Sequence, residues 1–317
     1  MKLLEIEDLR TYFHTMDGVV KAVDGVTLQV RKGEAFGLAG ESGSGKTTMA
    51  LSVMRLIKPP GRIEGGRIMF QGEDLLEKSI EEIDAIRWKR ISMIFQGAMN
   101  ALNPVYKVGD QICEAIIHHD KASKEEALSR AREMLRLVGI DESRVDNYPH
   151  EFSGGMKQRA MIAMALALSP DLVIADEPTT ALDVIIQRQI IDLINRLREE
   201  LNLSLILITH DLSVIMELCD RVGIFYAGKL MEVTDTGTLI KEPLHPYTTG
   251  LMEAFPTIDG EGKHLKAIGG APPSLMNPPT GCRFHPRCPH ATDRCRREEP
   301  EMITLGSGHR VACHLRG

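Results

Sequence analysis

Residues 40–47 read Gly40-Glu41-Ser42-Gly43-Ser44-Gly45-Lys46-Thr47, and they lie between an apolar run over residues 35–39 and a helical pattern. This spacing is typical of a phosphate-binding loop that joins a strand to a helix. The glycines let successive backbone N–H groups converge on phosphate oxygens, at a helix N-terminus that favours anions. We expect Lys46 to reach the β- and γ-phosphates of a nucleoside triphosphate, Thr47 to ligate Mg²⁺, and Thr48 to lie in the same site.

A second apolar run, over residues 172–175, ends in the acids Asp176 and Glu177. An acid at the end of a buried strand can hold the magnesium ion of a bound nucleotide, directly or through water, which is the role we expect for Asp176. The next acid would then face the γ-phosphate, so Glu177 is the candidate for polarising the attacking water. His210 ends the following apolar strand and is a further candidate for the γ-phosphate.

Short apolar runs alternate with amphipathic helical stretches as far as about residue 235, which predicts an α/β fold. Residues 108–137 form a helical block apart from this alternation and predict an inserted helical subdomain over about residues 97–165. Prolines are frequent after residue 235 and predict a loop-rich extension with few regular elements. We therefore expect two domains, 1–235 and 236–317.

Composition limits the class of protein. The chain has 317 residues, of which 26% are charged, and 38 Lys+Arg against 44 Asp+Glu give a net charge of -6. This balance argues against nucleic acid as a partner. No stretch approaches the ~18 apolar residues that a membrane span requires, so we expect a soluble chain.

The sequence around Ser153-Gly154-Gly155 resembles the signature motif of ABC transporter ATPases. Other segments resemble further motifs of the family: Gln96 the Q-loop glutamine, Ala181-Leu182-Asp183 the D-loop, and His210 the switch histidine. The resemblance implies a P-loop ABC ATPase core with an antiparallel β-subdomain. It also implies that Gln96 takes part in magnesium binding and catalysis. Two such domains would face each other head to tail, with ATP between one phosphate loop and the partner's signature motif and D-loop, Asp183 included.

Two features of the resemblance affect the nucleotide site. Phe152 and Met156 stand where the family usually has leucine and glutamine, which predicts that the two ATP sites of the dimer differ. An aromatic residue near the N-terminus usually stacks on adenine in this family. The spacing favours Phe13, with Tyr12 as the alternative, because neighbouring strand residues point to opposite faces.

The C-terminal segments Leu244-His245-Pro246-Tyr247-Thr248 and Pro286-Arg287-Cys288-Pro289 resemble the extension of ATP-binding subunits from dipeptide and oligopeptide importers. This resemblance implies a second ATPase subunit, often a different chain, two transmembrane permease subunits and an extracellular peptide-binding protein. It places the chain on the cytoplasmic face of the cell membrane. Nickel importers share much of the pattern, and a non-transport ABC ATPase with a redox-sensing tail is the alternative of another class.

The cysteines of the tail are spaced C-x5-C-x6-C-x17-C and comprise Cys282, Cys288, Cys295 and Cys313. Disulfides are a weak interpretation for a cytosolic chain. Tight C-x2-C pairs, usual for zinc, are missing, and wider gaps suit a [4Fe-4S] cluster, which some members of this importer branch carry. Zinc remains the alternative. The second-choice ligands are His285, His290, His309 and His314.

Residues 282–317 carry seven arginines, no lysine and four acids. Seven minus four leaves a net charge of +3 for this segment. The arginines could offset the negative charge of a thiolate-ligated cluster, or they could form a solvated basic surface.

Overall fold

The computed structural model describes residues 1–97, 101–254, 268–306 and 308–317. Its strands are β1 (Lys2–Thr15), β2 (Gly18–Arg31), β3 (Ala35–Ala39), β4 (Gly61–Phe70), β5 (Glu73–Asp74), β6 (Ile91–Ile94), β7 (Leu172–Asp176), β8 (Ser204–Ile208), β9 (Arg221–Tyr226), β10 (Lys229–Asp235), β11 (Ile303–Leu305) and β12 (His309–Val311). Its helices are α1 (Lys46–Val53), α2 (Ile80–Ile86), α3 (Val108–Asp120), α4 (Lys124–Leu137), α5 (Gly154–Leu166), α6 (Val184–Leu201), α7 (Leu212–Leu218), α8 (Thr236–Lys241), α9 (Pro246–Glu253) and α10 (Asp293–Arg297).

The apolar runs of the sequence form the predicted strands. β3 matches its predicted range, β7 extends one residue further, to Asp176, and β8 is the apolar strand predicted before His210. All residues of these three strands are buried, as expected for strands that are covered on both faces. The α/β class is therefore confirmed.

The chain forms two compact units. The first unit combines residues 1–30, 35–76 and 209–317, and the second combines residues 31–34 and 77–208. The C-terminal extension thus shares a unit with the N-terminal strands. The predicted division at residue 235 coincides with the end of β10 and stays a prediction.

The first unit contains a sheet with the strand order β2-β1-β4-β5, in which β4 is antiparallel to both β1 and β5. It also contains β3, which is parallel to β9, and β10, which is antiparallel to β9. The antiparallel sheet corresponds to the β-subdomain that the resemblance implies. The parallel β3–β9 pair carries the phosphate-binding loop at the end of β3.

The extension is more regular than its prolines predict, since it adds helices and two strands to the first unit. β12 pairs with β10, and β11 pairs with β12. Glu232, a fully buried residue of β10, accepts hydrogen bonds from the backbone N–H groups of Leu244 and His245 and lies 2.6 Å from Nε2 of His309. These contacts anchor the start of α9 and strand β12 to β10.

The second unit contains the parallel strands β6, β7 and β8 in neighbouring positions. The predicted helical block is present as α3 and α4, which pack on each other and on α5. The block is interrupted because Lys121 adopts a left-handed conformation at the end of α3 and Ser123 forms a capping box with Glu126 at the start of α4. Residues 98–100, near the predicted start of the insertion, lie outside the described residues.

Within the described segments, no helix has both the length and the apolar character that crossing a bilayer requires.

Candidate nucleotide-binding site

The phosphate-binding loop has two positions that only glycine can occupy. A Cβ at Gly40 would lie 2.1 Å from the carbonyl oxygen of Phe225, and a Cβ at Gly45 would lie 2.0 Å from that of Ala22. Both glycines have positive φ angles, of 147° and 109°. At Gly43, by contrast, a Cβ would meet no protein atom within 4 Å. The loop is therefore pressed against β9 and β2 at its ends and open at its middle.

Lys46 begins α1 and is buried under the loop. Its Nζ donates to the carbonyl oxygens of Gly40 and Glu41, at 2.8 and 2.9 Å, and to the hydroxyl of Ser44 at 3.2 Å. The exposed residues Ser42 and Thr47 lie on the same loop and helix start. A binding site for phosphate oxygens is therefore formed by the Lys46 ammonium group, the nearby hydroxyls and the N-terminal amides of α1.

The C-terminal extension forms hydrogen bonds with Glu41 of the phosphate-binding loop, which the sequence did not predict. The Glu41 N–H donates to the hydroxyl of Tyr247, and the Glu41 carboxylate accepts two hydrogen bonds from the guanidinium of Arg287. The Arg287 guanidinium also donates to the hydroxyl of Tyr226. An acid inside a phosphate-binding loop was the available signal, because such a charge requires a compensating cation.

Tyr12 and Phe13 differ in their surroundings. The Tyr12 hydroxyl donates to the Asp24 carboxylate over 2.6 Å, and burial together with that hydrogen bond raises the pKa of Tyr12 to about 12. Phe13 is half-buried and has its ring against Gly61, the residue opposite it on β4. The Tyr12 hydroxyl is therefore engaged in a hydrogen bond within the first unit, whereas Phe13 remains partly exposed to solvent.

In the second unit, β7 carries the two predicted acids. Asp176 is buried at the end of the strand, and Glu177 follows with a left-handed φ of 44°. This conformation is uncommon for a residue with a side chain and recurs at functional sites. The Glu177 N–H donates to the carbonyl oxygen of Ile208, which fixes the turn.

Two side chains hold the Glu177 carboxylate. Gln96 Nε2 and Thr180 Oγ1 both donate to Oε2 of Glu177, at 3.0 and 2.8 Å. The predicted Q-loop glutamine and the candidate base are therefore brought together. Thr180 is a contact that sequence analysis missed. His210 is exposed just before α7, whose N-cap is Asp211.

The signature residues begin α5. The Ser153 hydroxyl accepts a hydrogen bond from the N–H of Met156 and acts as the N-cap of the helix. Gly155 has a packing role too, because a Cβ there would lie 2.7 Å from Cγ2 of Ile186. Asp183 caps the neighbouring helix α6 by accepting from the Ile186 N–H.

The tail cysteines lie in one region of the first unit. Cys282, Cys295 and Cys313 are buried, Cys288 is partly buried, and all four are free thiols. Burial raises the pKa of Cys282 to about 11, and the charges of Cys295, Cys313 and Cys288 add to the rise. Burial likewise raises the pKa of Cys288 and of Cys313, with contributions from neighbouring cysteines.

No three His, Cys, Asp or Glu side chains among the described residues are grouped tightly enough to hold a single metal ion. Within the described residues, therefore, neither the predicted [4Fe-4S] cluster nor the zinc alternative has a preformed set of ligands. Three of the second-choice histidines have a ring nitrogen engaged elsewhere: His285 with Cys282 O, His309 with Glu232, and His314 with Glu298 O.

Arginines of the tail form ion pairs with carboxylates. Arg283 pairs with Asp24, Arg287 with Glu41 and Arg294 with Glu298. The first two pairs join the extension to the N-terminal part of the chain. Arg283 and Arg287 are not part of a solvated basic surface, because their side chains are only 5% and 6% exposed. The expectation that arginines offset the charge of a cluster stays a prediction.

Comparison with known proteins agrees with this geometry. Residues 23–180 match the ABC transporter family, and residues 231–295 match the oligopeptide/dipeptide transporter C-terminal region. The oligopeptide transport ATP-binding protein AppD of Bacillus subtilis is 47% identical, over 99% of this chain and 96% of AppD. The oligopeptide transport ATP-binding protein OppD of Salmonella typhimurium is also 47% identical, over 98% of this chain and 93% of OppD.

A solved structure supports the fold. The ATP-binding cassette MJ0796, described as a dimer in a post-hydrolysis state bound to ADP and Pi, aligns with a TM-score of 0.66 and 27% identity. The alignment covers 74% of this chain and 99% of that one. The chain therefore belongs to the ATP-binding proteins of the ABC transporter family, in the branch that carries the oligopeptide/dipeptide transporter C-terminal region.

Proposed function

We propose that this chain is the ATP-hydrolysing subunit of an ABC importer for dipeptides or oligopeptides. The observation that carries the ATPase assignment is the phosphate-binding loop, with its glycine-only positions, buried Lys46 and opening onto α1. The peptide class is supported by the relatives, which are oligopeptide and dipeptide transport ATP-binding proteins. No observation favours the nickel-importer or non-transport alternatives.

The residues have defined roles in hydrolysis. Lys46 and the loop amides bind the β- and γ-phosphates, and Thr47, Gln96 and Asp176 provide oxygen ligands of the kind that magnesium prefers. Magnesium, when bound, neutralises phosphate charge. Glu177 accepts a proton from the attacking water, whose oxygen bonds to the γ-phosphorus while the bond to the β–γ bridging oxygen breaks. The products are ADP and phosphate.

A second ATPase subunit completes each site in this proposal. Ser153, Gly154, Gly155 and Asp183 would contact the nucleotide that the partner's loop holds. The dimeric form of MJ0796, with ADP and Pi, supports this arrangement for the family. Because Met156 replaces a polar residue in the signature, we expect the two sites to differ in affinity when the partner is a different chain.

The chain would act at the cytoplasmic face of the membrane, bound to two transmembrane permease subunits that receive peptides from an extracellular binding protein. Closing of the ATPase dimer on ATP would be passed to the permeases through the segment around Gln96 and the helices α3 and α4.

We further propose that Cys282, Cys288, Cys295 and Cys313 ligate a [4Fe-4S] cluster. Support comes from four free cysteines in one region, three of them buried, with burial and mutual charge opposing ionisation. Such thiols become thiolate ligands readily only when a metal compensates their charge. A cube of four irons holds its thiolates further apart than one zinc ion does, so it accommodates cysteines that are not tightly grouped.

The test of the function is transport by the assembled complex. The chain is co-expressed with its candidate permease and ATPase partners, purified, and placed in vesicles with the peptide-binding protein inside. We expect peptide-stimulated ATP hydrolysis that a Lys46→Ala variant lacks. Stimulation by Ni²⁺ but not by peptides would favour the nickel alternative, and failure to associate with membrane subunits would contradict a transport role.

A further inference from the structure

Glu41 places a negative charge inside the loop that binds the triphosphate. Its carboxylate is 25% exposed, on the residue directly after Gly40. A carboxylate within a phosphate-binding loop repels the phosphates that the loop binds unless another charge compensates it. The loop can therefore bind a triphosphate tightly only if the charge of Glu41 is neutralised and its side chain is fixed in position.

Arg287 meets both requirements. Its Nη1 lies 2.7 Å from Oε2 of Glu41 and its Nη2 lies 2.9 Å from Oε1, a bidentate pair. The Arg287 side chain is only 6% exposed, so water screens the pair weakly.

The position of the guanidinium is set by further contacts. Nε donates to the carbonyl oxygen of Gly269 at 2.9 Å, and Nη1 donates to the hydroxyl of Tyr226 at 3.2 Å. Tyr247 adds a second link from the extension, since its hydroxyl accepts the N–H of Glu41 at 3.0 Å. Both the backbone and the side chain of Glu41 are thus held by the C-terminal extension.

We propose that Arg287 is a positioning residue for nucleotide binding, which neutralises and holds Glu41 and thereby sets the affinity of the loop for ATP. This inference rests on the proposed ATP site. It gives the extension a role in the ATPase itself.

The experiment measures binding of a non-hydrolysable ATP analogue to the full-length chain, and kcat and KM of the assembled transporter. Arg287→Ala should raise Kd and KM by roughly fivefold or more, a typical size for coupling between sites, with kcat unchanged at saturating ATP. Arg287→Lys keeps the charge but loses the bidentate geometry and should give an intermediate Kd. Arg294→Ala is the matched control, because Arg294 is an exposed arginine of the same extension that pairs with Glu298.

A second substitution separates the charge effect from simple support of the fold. Adding Glu41→Gln to Arg287→Ala removes the uncompensated carboxylate and should restore most of the lost affinity. If Arg287→Ala proves unstable, the same comparison is made between Arg287→Lys and Arg287→Lys with Glu41→Gln.

Two results would overturn the proposal: unchanged Kd in a folded Arg287→Ala chain, or failure of Glu41→Gln to restore affinity. The Lys46→Ala variant distinguishes a wrong inference about Arg287 from a wrong assignment of the ATP site. If Lys46→Ala abolishes binding while Arg287→Ala leaves it intact, only the inference about Arg287 is wrong. If Lys46→Ala also binds normally, the proposed site itself is wrong.

Discussion

Gln96 donates through Nε2 to Oε2 of Glu177 over 3.0 Å, which joins the end of β6 to the end of β7. Thr180 donates to the same oxygen from the following turn. The carboxylate is therefore oriented by two side chains, and its residue has a left-handed φ that the neighbouring backbone maintains. An acid held this precisely, next to the buried Asp176, is well suited to orient water and take its proton.

Glu177→Gln should keep nucleotide binding and abolish turnover. The amide has nearly the same shape and can still contact Gln96 and Thr180, but it cannot accept a proton from water. Loss of a general base typically lowers the rate by about 10²–10⁴-fold. The measurement is steady-state phosphate release together with Kd for ATP.

An exposed acid on α6 is the control for this experiment. Glu200→Gln removes a similar charge in the same unit, away from β7, and should leave both turnover and Kd unchanged. Turnover near the wild-type rate in Glu177→Gln would show that another group activates the water.

Residues near one another in the chain were the easiest to predict. The loop at residues 40–47 and the buried strands β3, β7 and β8 follow from local spacing and apolar runs. The pair of Gln96 and Glu177 required the family resemblance, because 81 residues separate them. Such a contact depends on strand order, which local spacing does not encode.

The contacts of the extension could not be predicted from local pattern. Arg287 and Glu41 are 246 residues apart, and their pairing depends on how β12 adds to β10. Prolines suggested an irregular tail, but the hydrogen bonds to Glu232 outweigh the local preference for loops. Glu232 is fully buried, and burying its carboxylate without hydrogen-bond partners would destabilise the folded chain.

Phe13 should stack on the adenine ring of ATP. Phe13→Ala is expected to weaken ATP binding by about 1–3 kcal/mol, the usual contribution of aromatic stacking on a base. Binding of inorganic tripolyphosphate, which has no base, should be unchanged. Both affinities are measured by calorimetry on the full-length chain.

Tyr12→Phe is the matched comparison for Phe13→Ala. It removes only the hydroxyl that donates to Asp24 and should leave ATP affinity nearly unchanged. A selective loss of ATP binding in Tyr12→Phe or Tyr12→Ala, with Phe13→Ala unaffected, would assign the stacking role to Tyr12.

Folding stability should fall below about pH 6.5 because of His245. Burial lowers the pKa of His245 from 6.5 to about 3, so its ring stays neutral in the folded chain, where Nδ1 accepts the Tyr247 N–H. The unfolded chain binds a proton below pH 6.5 and the folded chain does not, so the free energy of unfolding decreases as the pH falls. This residue contributes a loss of about 1.4 kcal/mol per pH unit between pH 6.5 and 3.

Urea titrations at pH 7.5 and 5.5 check the slope. His245→Asn keeps an N-cap acceptor for α9 but cannot titrate, so its stability should change less between the two pH values than that of the wild type. His150→Asn, at an exposed position, controls for the substitution itself. Equal pH dependence in His245→Asn and the wild type would contradict a role for His245.

The cysteine proposal predicts a coloured protein. Chain purified without oxygen should be brown and contain about four irons and four acid-labile sulfides per molecule. Cys288→Ser removes the most accessible of the proposed ligands and should lower both contents, with loss of the visible absorption. Cys113→Ser and Cys219→Ser change cysteines outside the tail, in α3 and at the end of α7, and should leave the iron content unchanged. A colourless chain that binds one zinc ion through these thiols would contradict the cluster and favour the zinc alternative.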